Sequence, residues 1–133
     1  MNNDEVKPQH LYLTGYRGCG KSTLAKLLAQ KLSLPAVDLD DVIESTAGKS
    51  IAEIFAEETE VGFRDREEAA LVQVAKRPTH VIALGGGTIL REANRNIIAG
   101  SGWCVWLDAE PEILVVRLAG DETTADRRPS LTD

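Results

Sequence analysis

The stretch Gly15–Ser22, with the letters GYRGCGKS, carries the clearest chemical pattern in this sequence. It matches the spacing G-x-x-x-x-G-K-[ST] of a P-loop at every fixed position. In such a loop, backbone N–H groups surround a phosphate, the lysine reaches the terminal phosphates and the hydroxyl can ligate Mg²⁺. The helix that follows points its positive end at the same phosphates. We therefore predict that Lys21 and Ser22 belong to a nucleoside triphosphate site.

The residues on either side favour this interpretation over a chance glycine-rich turn. Before the loop, Leu11, Tyr12 and Leu13 indicate the end of a short buried strand. After it, apolar residues recur at the spacing of one helix face, at Leu24, Leu27, Leu28 and Leu32. Strand, loop and helix thus follow each other in the order that the motif requires.

Composition limits the class of protein. The 133 residues suggest one domain, 10–133, after a flexible tail, 1–9, and a net charge of −6 argues against a nucleic-acid or membrane partner. No apolar run approaches the ~18 residues of a membrane span. A disulfide between Cys19 and Cys104 would block the phosphate loop, so reduced thiols are the simpler interpretation. We expect a cytoplasmic monomer that binds a small anionic ligand.

Strands alternate with helices along the chain, which predicts an α/β fold with a parallel sheet and helices on both faces. The first expected strand ends near Leu13, and the other three cover Ala36–Leu39, Val81–Leu84 and Trp103–Leu107. The expected helices cover Lys21–Leu32, a segment capped by Asp40 or Asp41 that runs to Ala47, a segment opened by Ser50, Thr59–Ala75, Arg91–Ala99, and Pro111 to about Leu118. Residues from about 120 to 133 are expected to form a lid loop.

Three further groups follow predicted strands or lie near them, and each has two interpretations. Asp38 and Asp40 could divide the binding of a metal and of a substrate hydroxyl, or could cap a helix. Arg64 could bind a substrate carboxylate bidentately, or could form an i, i+3 pair with Glu67 worth ~0.2–0.5 kcal/mol. Gly85–Gly87 could be a plain turn or a wall where a ligand touches backbone.

Taken together, these motifs resemble the shikimate kinase family, over nearly the whole chain from Leu11 onward. The segments that carry the resemblance are GYRGCGKST, DLD at Asp38–Asp40, SIAEIF at Ser50–Phe55, GFRDRE at Gly62–Glu67, LGGGT at Leu84–Thr88 and RRP at Arg127–Pro129. The P-loop is common to many NTPases, whereas GFRxxE followed by GGG is specific. The resemblance implies a three-layer P-loop fold that lacks the last strand and helix of the family.

The resemblance also implies a reaction and a set of site residues. Family members transfer the γ-phosphate of ATP, with Mg²⁺, to the 3-hydroxyl of shikimate. The implied catalytic residues are Lys21, Asp40 and Arg128, and the implied metal-binding residues are Ser22 and Asp38. The implied nucleotide site comprises Gly15, Gly18, Cys19, Gly20, Lys21, Ser22, Thr23 and Arg117. The implied substrate site comprises Asp40, Phe55, Phe63, Arg64, Glu67, Gly85, Gly86 and Gly87.

Two alternatives stay open. The family continues beyond the position of Asp133, with a further arginine, another strand and an adenine-binding loop. This chain could therefore be a catalytically silent fragment that binds phosphate or shikimate. A gluconate-type small-molecule kinase is the second alternative, although it is not expected to carry both GFRDRE and LGGG.

Overall fold

The computed structural model describes residues 9–15 and 21–107, and the backbone of residues 113–116. The strands are β1 (His10–Gly15), β2 (Ala36–Asp38), β3 (Val81–Ala83), β4 (Gly102–Leu107) and β5 (Ile113–Val116). The helices are α1 (Lys21–Leu32), α2 (Leu39–Ala47), α3 (Ile51–Ala75) and α4 (Glu92–Ser101), with a 3₁₀ turn at Thr88–Leu90. Within these residues, no helix has both the length and the apolar character needed to cross a membrane.

The strands form one sheet in the order β2-β3-β1-β4-β5, in which the first four are parallel. Neighbouring side chains on the central strands β1 and β3 enter different cores, because both faces of the sheet are covered there. On β1, Leu13 joins a cluster with Ala25 and Ala29 of α1, while Tyr12 joins a second cluster with residues of α2, α3 and α4. The predicted α/β architecture with helices on both faces is confirmed.

The prediction of a helix from Pro111 to about Leu118 is wrong at Ile113–Val116. These residues form β5, which pairs antiparallel with β4, in the register Leu107↔Ile113 to Cys104↔Val116. An antiparallel neighbour needs only a short connection. Isoleucine and valine also suit a pleated strand better than a helix, because their branched side chains are stiff. The sheet is therefore mixed at this edge rather than wholly parallel.

The predicted cap of α2 is also wrong by two or three residues. Asp38, and not Asp40 or Asp41, is the N-cap, and its Oδ1 accepts the backbone N–H of Asp40 at 2.9 Å. The end of the helix is as predicted, since Gly48 has φ 74° and donates its N–H to the Glu44 carbonyl. Because Asp38 ends β2 and caps α2 at once, the carboxyl end of the strand and the start of the helix are joined without a loop.

Helix α3 joins through a kink the two helices that the sequence predicts separately, one opened by Ser50 and one over Thr59–Ala75. Ser50 and Glu53 form the expected capping box at its start. The kink lies at Thr59, whose φ of 67° and ψ of −179° are not helical. Across it, Arg66 donates two hydrogen bonds of 2.8 Å to the Glu58 carboxylate. The second half of α3, which carries Arg64 and Glu67, is thus tied back to the first.

Backbone geometry at Thr59 leads to a prediction about stability. This region of φ and ψ is accessible mainly to glycine, and a β-branched residue there costs about 1–3 kcal/mol. Thr59→Gly would relieve this strain, but glycine also loses more conformational entropy on folding, which offsets part of the gain. We therefore expect the substitution to raise the free energy of unfolding by about 1 kcal/mol. Urea unfolding followed by circular dichroism measures it. Thr46→Gly, in the regular helix α2, is the matched control and should lower stability; a Thr59→Gly variant no more stable than the parent would contradict the strain.

Candidate functional site

The phosphate loop is described at its two ends. β1 ends at Gly15 and α1 begins at Lys21, as the motif requires. The Lys21 Nζ donates a hydrogen bond of 3.0 Å to the Gly15 carbonyl oxygen, which holds its ammonium group at the carboxyl end of β1. Residues 16–20 lie outside the described part of the chain, and so do Arg117 and Arg128. The nucleotide-site predictions for Gly18, Cys19 and Gly20 consequently concern residues that are not described.

Ser22 and Asp38 are brought together by the fold. The Ser22 hydroxyl donates to Asp38 Oδ2 at 2.7 Å, while the other carboxylate oxygen caps α2. The capping interpretation of Asp38 is confirmed for one oxygen, while the other faces the start of α1 and its role toward a metal stays a prediction. In the described residues, no cluster of three or more His, Cys, Asp or Glu side chains could hold a metal ion. One hydroxyl and one carboxylate are the hard oxygen ligands that suit Mg²⁺, which keeps several waters and binds substrate phosphates.

Asp40, in the first turn of α2, has an unusual ionisation. Burial, the largest cause, and the nearby carboxylates of Asp38, Glu67, Glu44 and Asp41 together raise the pKa of its carboxyl from 3.8 to about 6. Each of these groups disfavours a second negative charge in the same place. A carboxyl group with a pKa near neutrality can accept a proton from a substrate at physiological pH.

The three glycines after β3 form a wall that touches both halves of the site. A Cβ on Gly85 would lie 3.4 Å from side-chain oxygens of Asp40, Glu67 and Thr88. One on Gly86 would lie 3.7 Å from the Gly15 carbonyl oxygen, and one on Gly87 only 2.5 Å from Nη2 of Arg64. The backbone of this loop therefore packs between the end of β1 and the Arg64 guanidinium, while its contact with a ligand stays a prediction.

Arg64, on α3, lies against the glycine wall and is paired with a buried carboxylate. Its Nη1 donates to Glu67 Oε1 at 2.7 Å, and the Glu67 side chain is 1% exposed against 22% for Arg64. The pair has the i, i+3 spacing of the simpler interpretation, but it is not a solvent-exposed pair, because one member is buried. The arginine reaches the surface of the site, and the glutamate holds it from behind.

Phe55 and Phe63 stack on each other next to Arg64, as expected of residues that support a pocket. Their ring centroids are 4.6 Å apart, and the Arg64 guanidinium carbon lies 5.1 Å from the centroid of Phe63. Phe63 is buried, whereas Phe55 is 38% exposed. The stack joins the two halves of α3 beside the guanidinium and limits the directions in which it can turn.

Sequence reasoning did not identify three residues that complete this arrangement. Thr88 donates its hydroxyl to Glu67 Oε2 at 2.7 Å, and Asn94 Nδ2 donates to the Thr88 carbonyl at 3.0 Å. Arg91 Nη1 donates to the carboxylates of Asp65 and Glu68 at 3.0 Å and to the Arg64 carbonyl at 3.3 Å. The sequence signal for Thr88 was its position directly after Gly85–Gly87, as the first residue there that has a side chain.

Comparisons with known proteins agree with this geometry. The family model described as "Shikimate kinase" matches residues 17–133. A protein named shikimate kinase from Rhodopirellula baltica is 90% identical over 133 residues, which are 100% of this chain and 71% of that protein. One from Symbiobacterium thermophilum is 43% identical over 92% of this chain and 70% of its own length. The solved shikimate kinase from Acinetobacter baumannii in complex with shikimate has a TM-score of 0.74 and 35% identity, over 92% of this chain and 65% of that one.

The Asp40 environment predicts how stability changes with pH. Because the carboxyl binds its proton more tightly in the folded chain than in the unfolded one, the wild type loses stability as pH rises from about 4 to 6. A shift of about two pKa units at about 1.4 kcal/mol each corresponds to about 3 kcal/mol, which solvent screening of the partly buried carboxyl reduces to about 2 kcal/mol. Asp40→Asn removes this loss and should be more stable than the wild type by that amount above pH 6.

Urea unfolding at pH 4.5, 6 and 8, without nucleotide or metal, measures this difference. Asp41→Asn removes the same charge from an exposed position in the same helix turn and is the control. A gain that is equal at all three pH values, or equal in both variants, would contradict the raised pKa of Asp40.

Proposed function

Because the chain belongs to the shikimate kinase family, we propose that it transfers the γ-phosphate of ATP to the 3-hydroxyl of shikimate. The observation that carries this proposal is the glycine wall. Gly86 lies against the end of β1, where Lys21 is held, and Gly87 lies against the Arg64 guanidinium. The end of β1 that holds Lys21 and the Arg64 guanidinium thus both lie against the glycine wall, which supports a direct transfer between a donor and an acceptor bound there.

Shikimate carries a carboxylate, and Arg64 is the residue that would bind it. A planar guanidinium binds a carboxylate through two parallel hydrogen bonds, which also fixes the orientation of the ring. Glu67 occupies Nη1 from the buried side and Phe63 lies under the guanidinium, so the group is already oriented before the substrate binds. Gly86 and Gly87 would contact the ring hydroxyls through their backbone.

Asp40 would accept the proton of the reacting hydroxyl. Above pH 6 its carboxylate is ionised and can hydrogen-bond the hydroxyl, which positions the oxygen for attack on the γ-phosphorus. Phosphoryl transfer depends chiefly on such positioning and on neutralising charge. Lys21 would contribute a positive charge at the phosphates, and Arg128 and Arg117 would take the lid and adenine roles that the resemblance implies.

Mg²⁺ would be held by the Ser22 hydroxyl and, through water, by Asp38. When bound, the ion would supply positive charge that neutralises the phosphates during transfer. The hydrogen bond between Ser22 and Asp38 supports this placement, because it puts a hydroxyl and a carboxylate oxygen 2.7 Å apart at the start of α1. Nucleotide binding would have to redirect the Ser22 hydroxyl from Asp38 to the ion.

The test is an assay of ADP release with shikimate and, separately, with gluconate as acceptor. It should be run on the chain and on the chain joined to the part of the Rhodopirellula baltica relative that lies outside the matched region. We expect ADP release with shikimate and none with gluconate. The Lys21→Ala variant should keep the fold and lose the ADP release with shikimate. Binding of shikimate without turnover in both proteins would instead support the silent binding fragment.

Arg64→Ala should weaken the binding of shikimate far more than the binding of ATP. Loss of a hydrogen bond between charged groups costs about 1.5–3 kcal/mol, which corresponds to a rise of about 10- to 100-fold in the KM for shikimate. The KM for ATP should change by less than about twofold, since Arg64 lies on the acceptor side of the wall. Arg77→Ala, an arginine just after α3, is the control. Equal changes in the two KM values would contradict the carboxylate role.

Gly87→Ala should have a similar effect without removing any functional group. The added methyl would lie 2.5 Å from Nη2 and 2.9 Å from Cζ of Arg64, so the guanidinium has to move. We expect the KM for shikimate to rise at least about fivefold with little change in melting temperature, because the end of a flexible side chain can yield. Gly100→Ala, in α4 with open space around it, is the matched control. An unchanged shikimate KM in Gly87→Ala would show that Arg64 does not need its present position.

A further inference from the structure

Glu67 is the most deeply buried carboxylate of the site, and it has a different partner on each oxygen. Its Oε1 accepts from Nη1 of Arg64 and its Oε2 accepts from the Thr88 hydroxyl, both at 2.7 Å. A buried carboxylate is tolerated only when it is paired and hydrogen-bonded. Two donors on two oxygens also fix the plane of the carboxylate, which one donor cannot do.

Thr88 is itself held rigidly. It is fully buried, its N–H donates to the Gly85 carbonyl at 3.2 Å, and its own carbonyl accepts from Asn94 at 3.0 Å. Threonine has a stiff χ1 angle, so a fixed backbone also fixes the direction of the hydroxyl. Thr88 therefore connects the glycine wall, through its backbone, to Glu67 of α3, through its hydroxyl.

Without the Thr88 hydroxyl, Glu67 Oε2 would be buried against an apolar group. The carboxylate would have to rotate toward another donor, because an unpartnered buried charge is costly. That rotation alters the hydrogen bond to Arg64, whose guanidinium can then leave its position against Gly87. Thr88 thus acts on the arginine through the glutamate, without touching a substrate.

We propose that Thr88 is a positioning residue, whose hydroxyl orients Glu67 and through it the Arg64 guanidinium for binding the acceptor carboxylate. The inference rests on the proposed function for the identity of the acceptor. The link from Thr88 to Arg64, by contrast, is a property of the unliganded chain and can be measured without any substrate.

The main variant is Thr88→Val, which keeps the shape of the side chain and removes the hydroxyl. By titration calorimetry, we expect the Kd for shikimate to rise about tenfold and the Kd for ADP to change by less than about twofold. Thr88→Ser restores a hydroxyl and should stay within about threefold of the wild type. Thr46→Val, on the exposed face of α2, is the control for the substitution itself.

A double variant separates positioning from a general loss of structure. If Thr88 acts through the arginine, adding Thr88→Val to Arg64→Ala should weaken shikimate binding no further than Arg64→Ala alone. A further loss of similar size in the double variant, or a parallel loss of ADP affinity in Thr88→Val, would mean that Thr88 only supports the fold. Unchanged shikimate affinity in Thr88→Val would overturn the proposal directly.

A third measurement needs no ligand. In an NMR spectrum of the arginine Nε–H groups, the Arg64 signal is assigned by its absence in Arg64→Ala. Its hydrogen exchange should be several-fold faster in Thr88→Val than in the wild type or Thr88→Ser, and an unchanged rate would refute the link from Thr88 to Arg64. If wild-type shikimate binding is absent while this exchange responds as expected, the proposed function fails and the positioning contact stands.

Discussion

The buried carboxylate of Glu67 is the constraint on which the acceptor side of this site depends. A charge removed from water has to be balanced nearby, and here one oxygen takes a cation and the other a hydroxyl. Those two partners come from different parts of the chain, since Arg64 lies on α3 and Thr88 follows the glycine wall. Satisfying one side chain thus fixes α3 and the loop relative to each other, with the arginine directed toward the site.

The glycine wall extends this constraint to the phosphate side. Gly87 leaves room for the Arg64 guanidinium, and Gly86 brings the same loop next to the carbonyl of Gly15 at the end of β1. Both contacts depend on the parallel pairing of β1 with β3, because parallel strands deliver their carboxyl ends to one edge of the sheet. Donor and acceptor groups from distant parts of the sequence meet there through backbone packing.

The errors of the sequence predictions have identifiable physical causes. Pro111 after a carboxylate suggested a helix start, but Ile113–Val116 pairs along the open edge of β4, and pairing of that kind cannot be read from one segment. Asp38 had two alternative interpretations, and in the structure one oxygen caps α2 while the other accepts a hydrogen bond from the Ser22 hydroxyl. Two separate helices were predicted around Thr59, whereas the structure joins them there through a residue with non-helical backbone angles.

The sequence by itself determined the class of fold, the phosphate loop and most of the candidate residues, since spacing along one strand, loop or helix reports local geometry. It also predicted Asp40, Arg64, Glu67 and the glycines as one site, through motifs and the resemblance that they carry. Only the tertiary structure decided that Thr88 lies behind Glu67, that Gly87 touches Arg64, and that burial and neighbouring carboxylates raise the pKa of Asp40 to about 6. These properties depend on burial and on distances between segments far apart in the chain, which no local pattern encodes.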